Sequence, residues 1–304
     1  MTGNSTRRAQ ATMLACTVLI CVSGCGGEGG DSSPSSSPSV PETDSKTVGL
    51  AEVSPLEEYL KLPIGDYSFT PQQMYVISKA ERNLAGSCMR KYDLTYRSKS
   101  SDSPAEYIPG TNRRYGVLNP DVVSEYGYHF PEDSAVSDIG LSEEEIVALN
   151  GRPGGDTEVN GVKVPIGGCL GYAKGALRGK YTYEKGAEVA RSIASGSFEQ
   201  SLGSPKVVAA TSAWSECMKR SGLSYSTPLQ ALGAPENSRS KITKREISVA
   251  KVDVDCKLQT DLVKIWSSQE SDIQRIMIKK DRKDLDLLSE AHRKILAEAR
   301  SVIR

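Results

Sequence analysis

Apolar residues recur at helical spacing through most of the chain from residue 54 onward. A first helix is predicted from Pro71 to about Lys91, with Thr70 as its N-cap and Gln73 completing a capping pattern. Its apolar face consists of Met74, Ile77, Ala80, Leu84 and Cys88. The same spacing predicts helices over 184–200 and from residue 205 to a C-terminal cap at Gly222.

The C-terminal part of the chain carries one long apolar stripe. The stripe begins after a capping box predicted at Thr243 and Glu246. The polar run 267–271 interrupts the stripe. Its members are Ile247, Ala250, Val254, Leu258, Leu262, Ile265, Ile276, Leu288, Ile295, Ala299 and Val302. This pattern predicts two helices or one long bent helix, because no heptad persists long enough for a coiled coil.

Residues 97–168 form a long segment that is rich in proline and glycine and has little helical periodicity. Ser142 is a potential cap for one short helix that ends near Leu149, and Asn160-Gly161 is typical of a tight hairpin turn. We therefore predict a mainly α-helical fold with disulfide-stapled helices, a long irregular segment and one small β-hairpin.

The N-terminus has the features of an export signal that ends in a lipid attachment site. Arg7 and Arg8 precede an apolar stretch over 9–22, which is too short to span a bilayer. The stretch ends in Val22-Ser23-Gly24-Cys25, where small residues before the cysteine are typical of a lipobox. We predict a lipoprotein signal peptide over 1–24 and acylation of Cys25, with an ordinary secretory peptide as the alternative.

A tether is predicted over 25–53, since glycine, serine and proline without apolar residues cannot bury a core. The helical extracytoplasmic domain then covers 54–304. Basic and acidic residues both total 38, so the loss of Arg7 and Arg8 with the leader leaves a slightly acidic chain. This charge gives no indication of nucleic-acid binding.

Four cysteines remain after the leader and the lipidated residue, and outside the cytosol they are expected to be oxidised. The segment from Cys88 to Tyr96 resembles the segment from Cys217 to Tyr225, with matching Cys, Met, Leu and Tyr. Each copy is followed by one further cysteine, Cys169 or Cys256. This internal repeat predicts the pairs Cys88–Cys169 and Cys217–Cys256 in two similar halves, 54–180 and 181–304. The sequence alone leaves the other two pairings open.

Several short motifs resemble a group of actinobacterial surface lipoproteins that carry a lipobox. They are the lipobox itself, Arg113-Arg114-Tyr115-Gly116, the segment 126–131, Pro165-Ile166-Gly167-Gly168-Cys169, the segment 214–218 and Asp253-Val254-Asp255-Cys256. No activity is established for this group. The resemblance therefore implies a location and an architecture, and it implies no reaction.

Signatures of catalysis fail along the chain, and we predict no catalytic residue, no metal site and no cofactor. Ser238 and Lys241 have the spacing of a nucleophile and its base, but their partner motifs are missing. The best candidates for ligand contact are Tyr115, Tyr126, Tyr128 and His129, because tyrosine rings stack on ligands and their hydroxyls form hydrogen bonds. Core packing of these rings is the alternative.

These observations predict a lipoprotein held on the extracytoplasmic face of the cell membrane, with the bilayer as a partner of its acylated cysteine. We predict a non-enzymatic interaction module whose partner is an envelope protein or the cell wall. Two alternatives stay open. One is a binding protein for a cell-wall or exported ligand that uses the tyrosine-rich loop, and the other is an uncharacterised hydrolase.

Overall fold

The computed structural model describes residues 51–98, 103–131 and 140–304, and the described chain is mainly helical. The helices are α1 (Pro71–Met89), α2 (Pro120–Tyr126), α3 (Glu143–Asn150), α4 (Gly168–Arg178), α5 (Glu184–Leu202), α6 (Pro205–Arg220), α7 (Pro228–Leu232), α8 (Lys244–Gln259), α9 (Leu262–Lys280) and α10 (Arg282–Val302). One antiparallel hairpin pairs β1 (Glu158–Val159) with β2 (Val162–Lys163). The predicted fold class is confirmed. The predicted signal peptide, Cys25 and the tether up to residue 50 lie outside the described residues.

Local capping signals predicted several element ends correctly. Thr70 and Gln73 form a reciprocal capping box on α1, and Ser142 forms a similar box with Glu145 on α3. Asn160 and Gly161 both have positive φ, as a tight hairpin turn requires. Helix α2 was not expected. It begins at a proline after the cap Asn119, whose side chain accepts two backbone N–H bonds.

The predicted helix break at 267–271 is wrong. These polar residues lie inside α9, and the chain breaks instead at Asp261, which has a left-handed φ of 51°, and at Asp281. The expected stripe is also wrong at Leu258 and Ile276, which are exposed, as is Met74 on α1. The segment therefore forms three helices, where two were predicted. The direction of the buried face changes at each break, so one continuous apolar stripe does not face the core.

The two cysteine segments adopt the same local structure, which gives the internal repeat a physical basis. The N–H of Leu94 donates to the carbonyl of Met89, and the N–H of Leu223 donates to the carbonyl of Met218. At matching positions, residues 93 and 222 both have left-handed φ. Each helix therefore ends in the same type of turn before an extended segment.

Both predicted disulfides are present in the structure. Cys88 of α1 pairs with Cys169 of α4, and Cys217 of α6 pairs with Cys256 of α8. Disulfides of this kind are consistent with an extracytoplasmic location. No helix in the described ranges has the length and apolar content needed to cross a bilayer.

Three hydrophobic clusters form the core of the part of the chain that the structure describes. The largest packs the segment around Tyr115 to Tyr128 against α6, α8 and α9, with Trp214 and Trp266 fully buried. A second cluster joins α1, α3, α4 and the hairpin, and a third packs α1 against α10. The predicted halves, 54–180 and 181–304, thus share the first and third clusters.

Candidate functional site

The predicted tyrosine-rich loop, residues 107–131, is packed into the core over much of its length. The Tyr115 side chain is fully buried, and its ring lies 5.1 Å from the ring of Trp266. Its hydroxyl donates to Glu270 Oε2 at 2.8 Å. Burial, together with the Glu270 carboxylate, raises the pKa of Tyr115 well above its ordinary value, so the hydroxyl stays protonated. Arg114 pairs with the same carboxylate, which is itself fully buried.

A buried ion pair holds the other end of this loop. Asp253 and Lys257, one turn apart on α8, are both fully buried, and Lys257 Nζ lies 3.0 Å from Asp253 Oδ1. The carboxylate also accepts from the Tyr128 hydroxyl at 3.1 Å and from the Trp214 indole N–H at 2.9 Å. The Lys257 ammonium donates to the Val117 carbonyl at 2.8 Å. Helix α8 is thus linked to two points of the loop.

Burial perturbs the titration of these groups. Burial raises the pKa of the Asp253 carboxyl, and the donors Lys257, Tyr128 and Trp214 oppose that rise. Burial likewise lowers the pKa of the Lys257 ammonium, and the Asp253 carboxylate opposes that change. The pKa of Tyr128 is raised, mainly by burial and then by Asp253. All of these groups already have protein partners, so the arrangement positions the loop.

Glu246 provides a further link between α8 and the loop. Thr243 caps α8 by accepting the N–H of Glu246, but the Glu246 side chain does not return the bond as a capping box would. It points inward instead, where Oε1 accepts the Tyr128 N–H at 2.9 Å and lies 2.8 Å from His129 Nδ1. The other ring nitrogen lies 2.7 Å from the Arg239 carbonyl. Both partners of His129 accept hydrogen bonds, so the ring is oriented by the fold.

A fourth buried carboxylate, Glu57, holds the start of the loop. It accepts hydrogen bonds from the Tyr107 hydroxyl at 2.8 Å and the Gly110 N–H at 2.6 Å. The Asn119 amide and the Ser54 N–H donate to its other oxygen, each at 2.8 Å. Four donors on one buried carboxylate satisfy it fully, which is the condition for burying a charge at acceptable cost.

The predicted ligand-contact residues therefore separate into two groups. Tyr115 and Tyr128 pack in the core, 0% and 6% exposed, with hydroxyls bound to carboxylates. They present no ring to solvent, because the loop folds inward onto α8 and α9. Tyr126 is half-buried, and the His129 side chain is 29% exposed between its two acceptors. The rings of Tyr115 and Tyr128 are thus packed in the core, whereas the predicted ligand contact requires them on an open surface.

A groove with exposed apolar residues lies elsewhere, beside the Cys88–Cys169 disulfide. We call it the apolar groove. It is lined by Cys88, Lys91, Tyr92, Gly154, Gly155, Asp156, Val162, Lys163, Val164, Pro165, Ile166 and Tyr172, and its volume is about 680 Å³. Its walls are the hairpin on one side and the ends of α1 and α4 on the other.

Specific bonds fix the two walls of the apolar groove. The disulfide joins α1 to α4, and the Tyr92 hydroxyl donates to the Lys163 carbonyl at 3.1 Å. The Asn160 amide donates back to the Tyr92 carbonyl at 2.7 Å, so the hairpin is held against the end of α1. The groove is therefore built by covalent and hydrogen-bonded contacts before any ligand arrives.

Three apolar side chains of the apolar groove are exposed to solvent. Ile166 is 85% exposed, and Tyr172 and Val162 are also exposed. Lys91 lies at the rim, with Nζ 5.5 Å from the Tyr172 ring centroid. Lys163 at the same rim pairs with Asp156 in solvent. The surface thus combines apolar contact area with one cation that has no carboxylate partner among the described residues.

Sequence reasoning missed the buried carboxylates that hold the tyrosine-rich loop against the core. Asp253 and Lys257 follow a four-residue spacing on the buried face of α8, beside Ala250 and Val254. That spacing was visible in the sequence as polar residues at core positions. The apolar groove had only a weak signal, the isolated apolar Ile166 between Pro165 and two glycines.

Within the three described ranges, no three histidine, cysteine or acidic side chains come together as metal ligands would. Comparisons of the chain with protein-family models, with curated proteins and with solved structures find no match.

Proposed function

We propose that this protein is a lipoprotein anchored on the extracytoplasmic face of the membrane, where it acts as a non-enzymatic interaction module. In this proposal the apolar groove binds an extended segment of an envelope protein. The observation that carries the proposal is the exposure of Ile166, at 85%, in a groove with preformed walls. Apolar side chains gathered in one exposed surface are typical of protein interaction sites.

The chemistry of the groove favours an apolar segment with acidic residues. Ile166, Val162 and the Tyr172 ring offer contact to apolar side chains. The Lys91 ammonium at the rim has no carboxylate partner in the described part of the chain, so it attracts a negative charge on the bound segment. The open shape of the groove suits an extended chain better than a compact small molecule.

The location also supports this proposal. Two disulfides are stable outside the reducing cytosol. In this proposal the lipobox sequence before Cys25 directs acylation, and the glycine-rich segment that follows connects the acylated cysteine to the domain. A tethered domain with a preformed groove is suited to capture another exported chain near the membrane.

The test is selection from a library of random twelve-residue peptides displayed on phage. We expect selected peptides to combine apolar and acidic residues. Full burial of an isoleucine contributes about 1.5–3 kcal/mol, so Ile166→Asp should weaken their binding at least tenfold. Ile276→Asp is the matched control, because Ile276 is 73% exposed on α9, outside the groove.

Lys91→Glu provides a second arm. Charge reversal at the rim should shift the selected peptides from acidic to basic composition, while their apolar positions stay the same. The proposal fails if Ile166→Asp and Ile276→Asp bind the selected peptides equally well, or if Lys91→Glu leaves the charge of the selected peptides unchanged.

A further inference from the structure

A second groove runs along α1, on a face separate from the residues that line the apolar groove. We call it the basic groove. Its lining residues are Arg82, Asn83, Gly86, Ser87, Arg90, Thr95, Tyr96 and Val302, and its volume is about 500 Å³. Two guanidinium groups, one amide and three hydroxyls therefore face one space. Among the residues that the structure describes, no carboxylate contributes to this lining.

The arginines of the described residues divide into those that pair with a carboxylate and those that do not, and the two in the basic groove belong to the second group. Arg275, Arg282 and Arg293 each pair with a carboxylate on their own helix. Within the described residues, neither Arg82 nor Arg90 forms an ion pair. The acidic residue next to Arg82 on α1, Glu81, pairs with Arg178 of α4 instead. The positive charge of the basic groove is thus left for another partner.

Arg90 makes its local contacts with other residues that line the basic groove. Its Nη2 donates to Ser87 Oγ at 2.9 Å, one turn back along α1. Its Nη1 passes over Gly86, because a Cβ built there would lie 3.8 Å from that atom. Gly86 itself adds no side chain to the groove that it lines. The bond to Ser87 thus places the Arg90 guanidinium beside a second hydrogen-bonding group of the same groove.

We propose that the basic groove binds phosphate esters. Each guanidinium presents a planar fork of N–H donors that matches the oxygens of a phosphate group. The hydroxyls of Ser87 and Thr95 and the amide of Asn83 add donors between the two forks. Together these side chains offer more hydrogen-bond donors than the two oxygens of a carboxylate can accept, which favours a phosphate group over a carboxylate. Phosphate esters reach an extracytoplasmic protein either as lipid headgroups or as free esters, and both sources share this chemistry.

The first test titrates glycerol phosphate into the protein and follows the arginine Nε–H resonances by NMR. The protein carries Cys25→Ser, so that no acyl chain contributes to binding. We expect the Arg82 and Arg90 resonances to shift together with one dissociation constant, while those of Arg191 and Arg275 stay constant. A titration that moves neither Arg82 nor Arg90 overturns the proposal.

Variants then assign the binding to this groove. Arg82→Gln with Arg90→Gln should weaken glycerol phosphate binding about tenfold or more, because charge-assisted bidentate bonds are lost. Arg191→Gln with Arg275→Gln is the control, since it removes the same charge from exposed arginines of α5 and α9. Equal weakening in both double variants overturns the proposal, because binding would then depend on net charge alone.

A steric variant keeps the test valid if the arginines also support the fold. Gly86→Leu should block the groove while both guanidinium groups remain, since a Cβ there meets no atom closer than 3.7 Å. We expect about tenfold weaker binding with an unchanged melting temperature. If glycerol phosphate binds Gly86→Leu as tightly as the parent, or if the arginine variants lower only the melting temperature, the proposal is wrong.

Vesicle sedimentation separates the two sources. Binding to phosphatidylglycerol vesicles, but not to phosphatidylcholine vesicles, with dependence on Arg82 and Arg90, identifies a lipid headgroup. Tight binding of soluble glycerol phosphate with no vesicle binding identifies a free ester. Failure of both arms overturns this inference and leaves the peptide-binding proposal untouched, because the two grooves share no lining residue.

Discussion

The buried pair Asp253–Lys257 allows a quantitative prediction about what holds the loop in place. Both side chains are fully buried, and the closest atoms are 3.0 Å apart. At an effective dielectric constant of about 20, two unit charges at this distance attract by about 5–6 kcal/mol. Desolvation of both ions offsets much of this attraction, so the intact pair adds little net stability.

Removal of one partner strongly destabilises the fold, because the remaining charge stays buried without its counter-ion. Lys257→Met should lower the free energy of unfolding by about 3–5 kcal/mol. It leaves the Asp253 carboxylate without its cation and the Val117 carbonyl without its donor. Asp253→Asn should have a similar cost, since the Lys257 ammonium then faces a neutral amide. The double variant should cost clearly less than both single changes added together.

Urea denaturation under non-reducing conditions, read by circular dichroism, measures all three values. Lys251→Met is the matched control, because Lys251 lies on the same helix and is exposed, and it should change stability by less than about 0.5 kcal/mol. A Lys257→Met cost near that of the control would refute this reasoning. Strict additivity of the two single variants would refute it as well, since paired charges must couple.

Three further predictions concern other parts of the fold. Replacing Cys217 and Cys256 together by serine should cost about 4 kcal/mol by the chain-entropy account, since the bond spans 39 residues, and chemical denaturation measures this loss. Gly222→Ala should cost about 1–2 kcal/mol through its φ of 75° alone, because nothing lies within 4 Å of the added carbon; a neutral result in thermal unfolding would contradict this. Burial, and then Arg178, lowers the pKa of His292, so the unfolded chain binds its proton first and stability falls as pH drops below about 6.5. His292→Phe should flatten this decline in melting temperature, and an unchanged pH profile would disprove the assignment.

Much of the fold was predictable because its signals are local. The cap at Thr70, the short helix after Ser142 and the turn at Asn160-Gly161 each depend on residues within a few positions of one another. The disulfide pairing was predicted from the repeat formed by the two cysteine segments. The matching left-handed turns at residues 93 and 222 explain why the two segments are similar.

The candidate site was not predictable in the same way, because its determinants are far apart in sequence. Whether Tyr128 faces solvent or core depends on Asp253, 125 positions away. The helix break at Asp261 depends on a left-handed backbone at a non-glycine residue, which composition does not indicate. The apolar groove exists only where the hairpin meets the ends of α1 and α4, so no single segment encodes it.

The most direct test of the central claim is top-down mass spectrometry of the protein isolated from its native host without reduction. We predict a chain that begins at Cys25, carries a diacylglyceryl group there, and weighs four hydrogens less than its reduced form because of two disulfides. A chain that retains residues 1–24, with no acyl group and with free thiols at Cys88, Cys169, Cys217 and Cys256, would contradict the proposed location and the interaction role that depends on it.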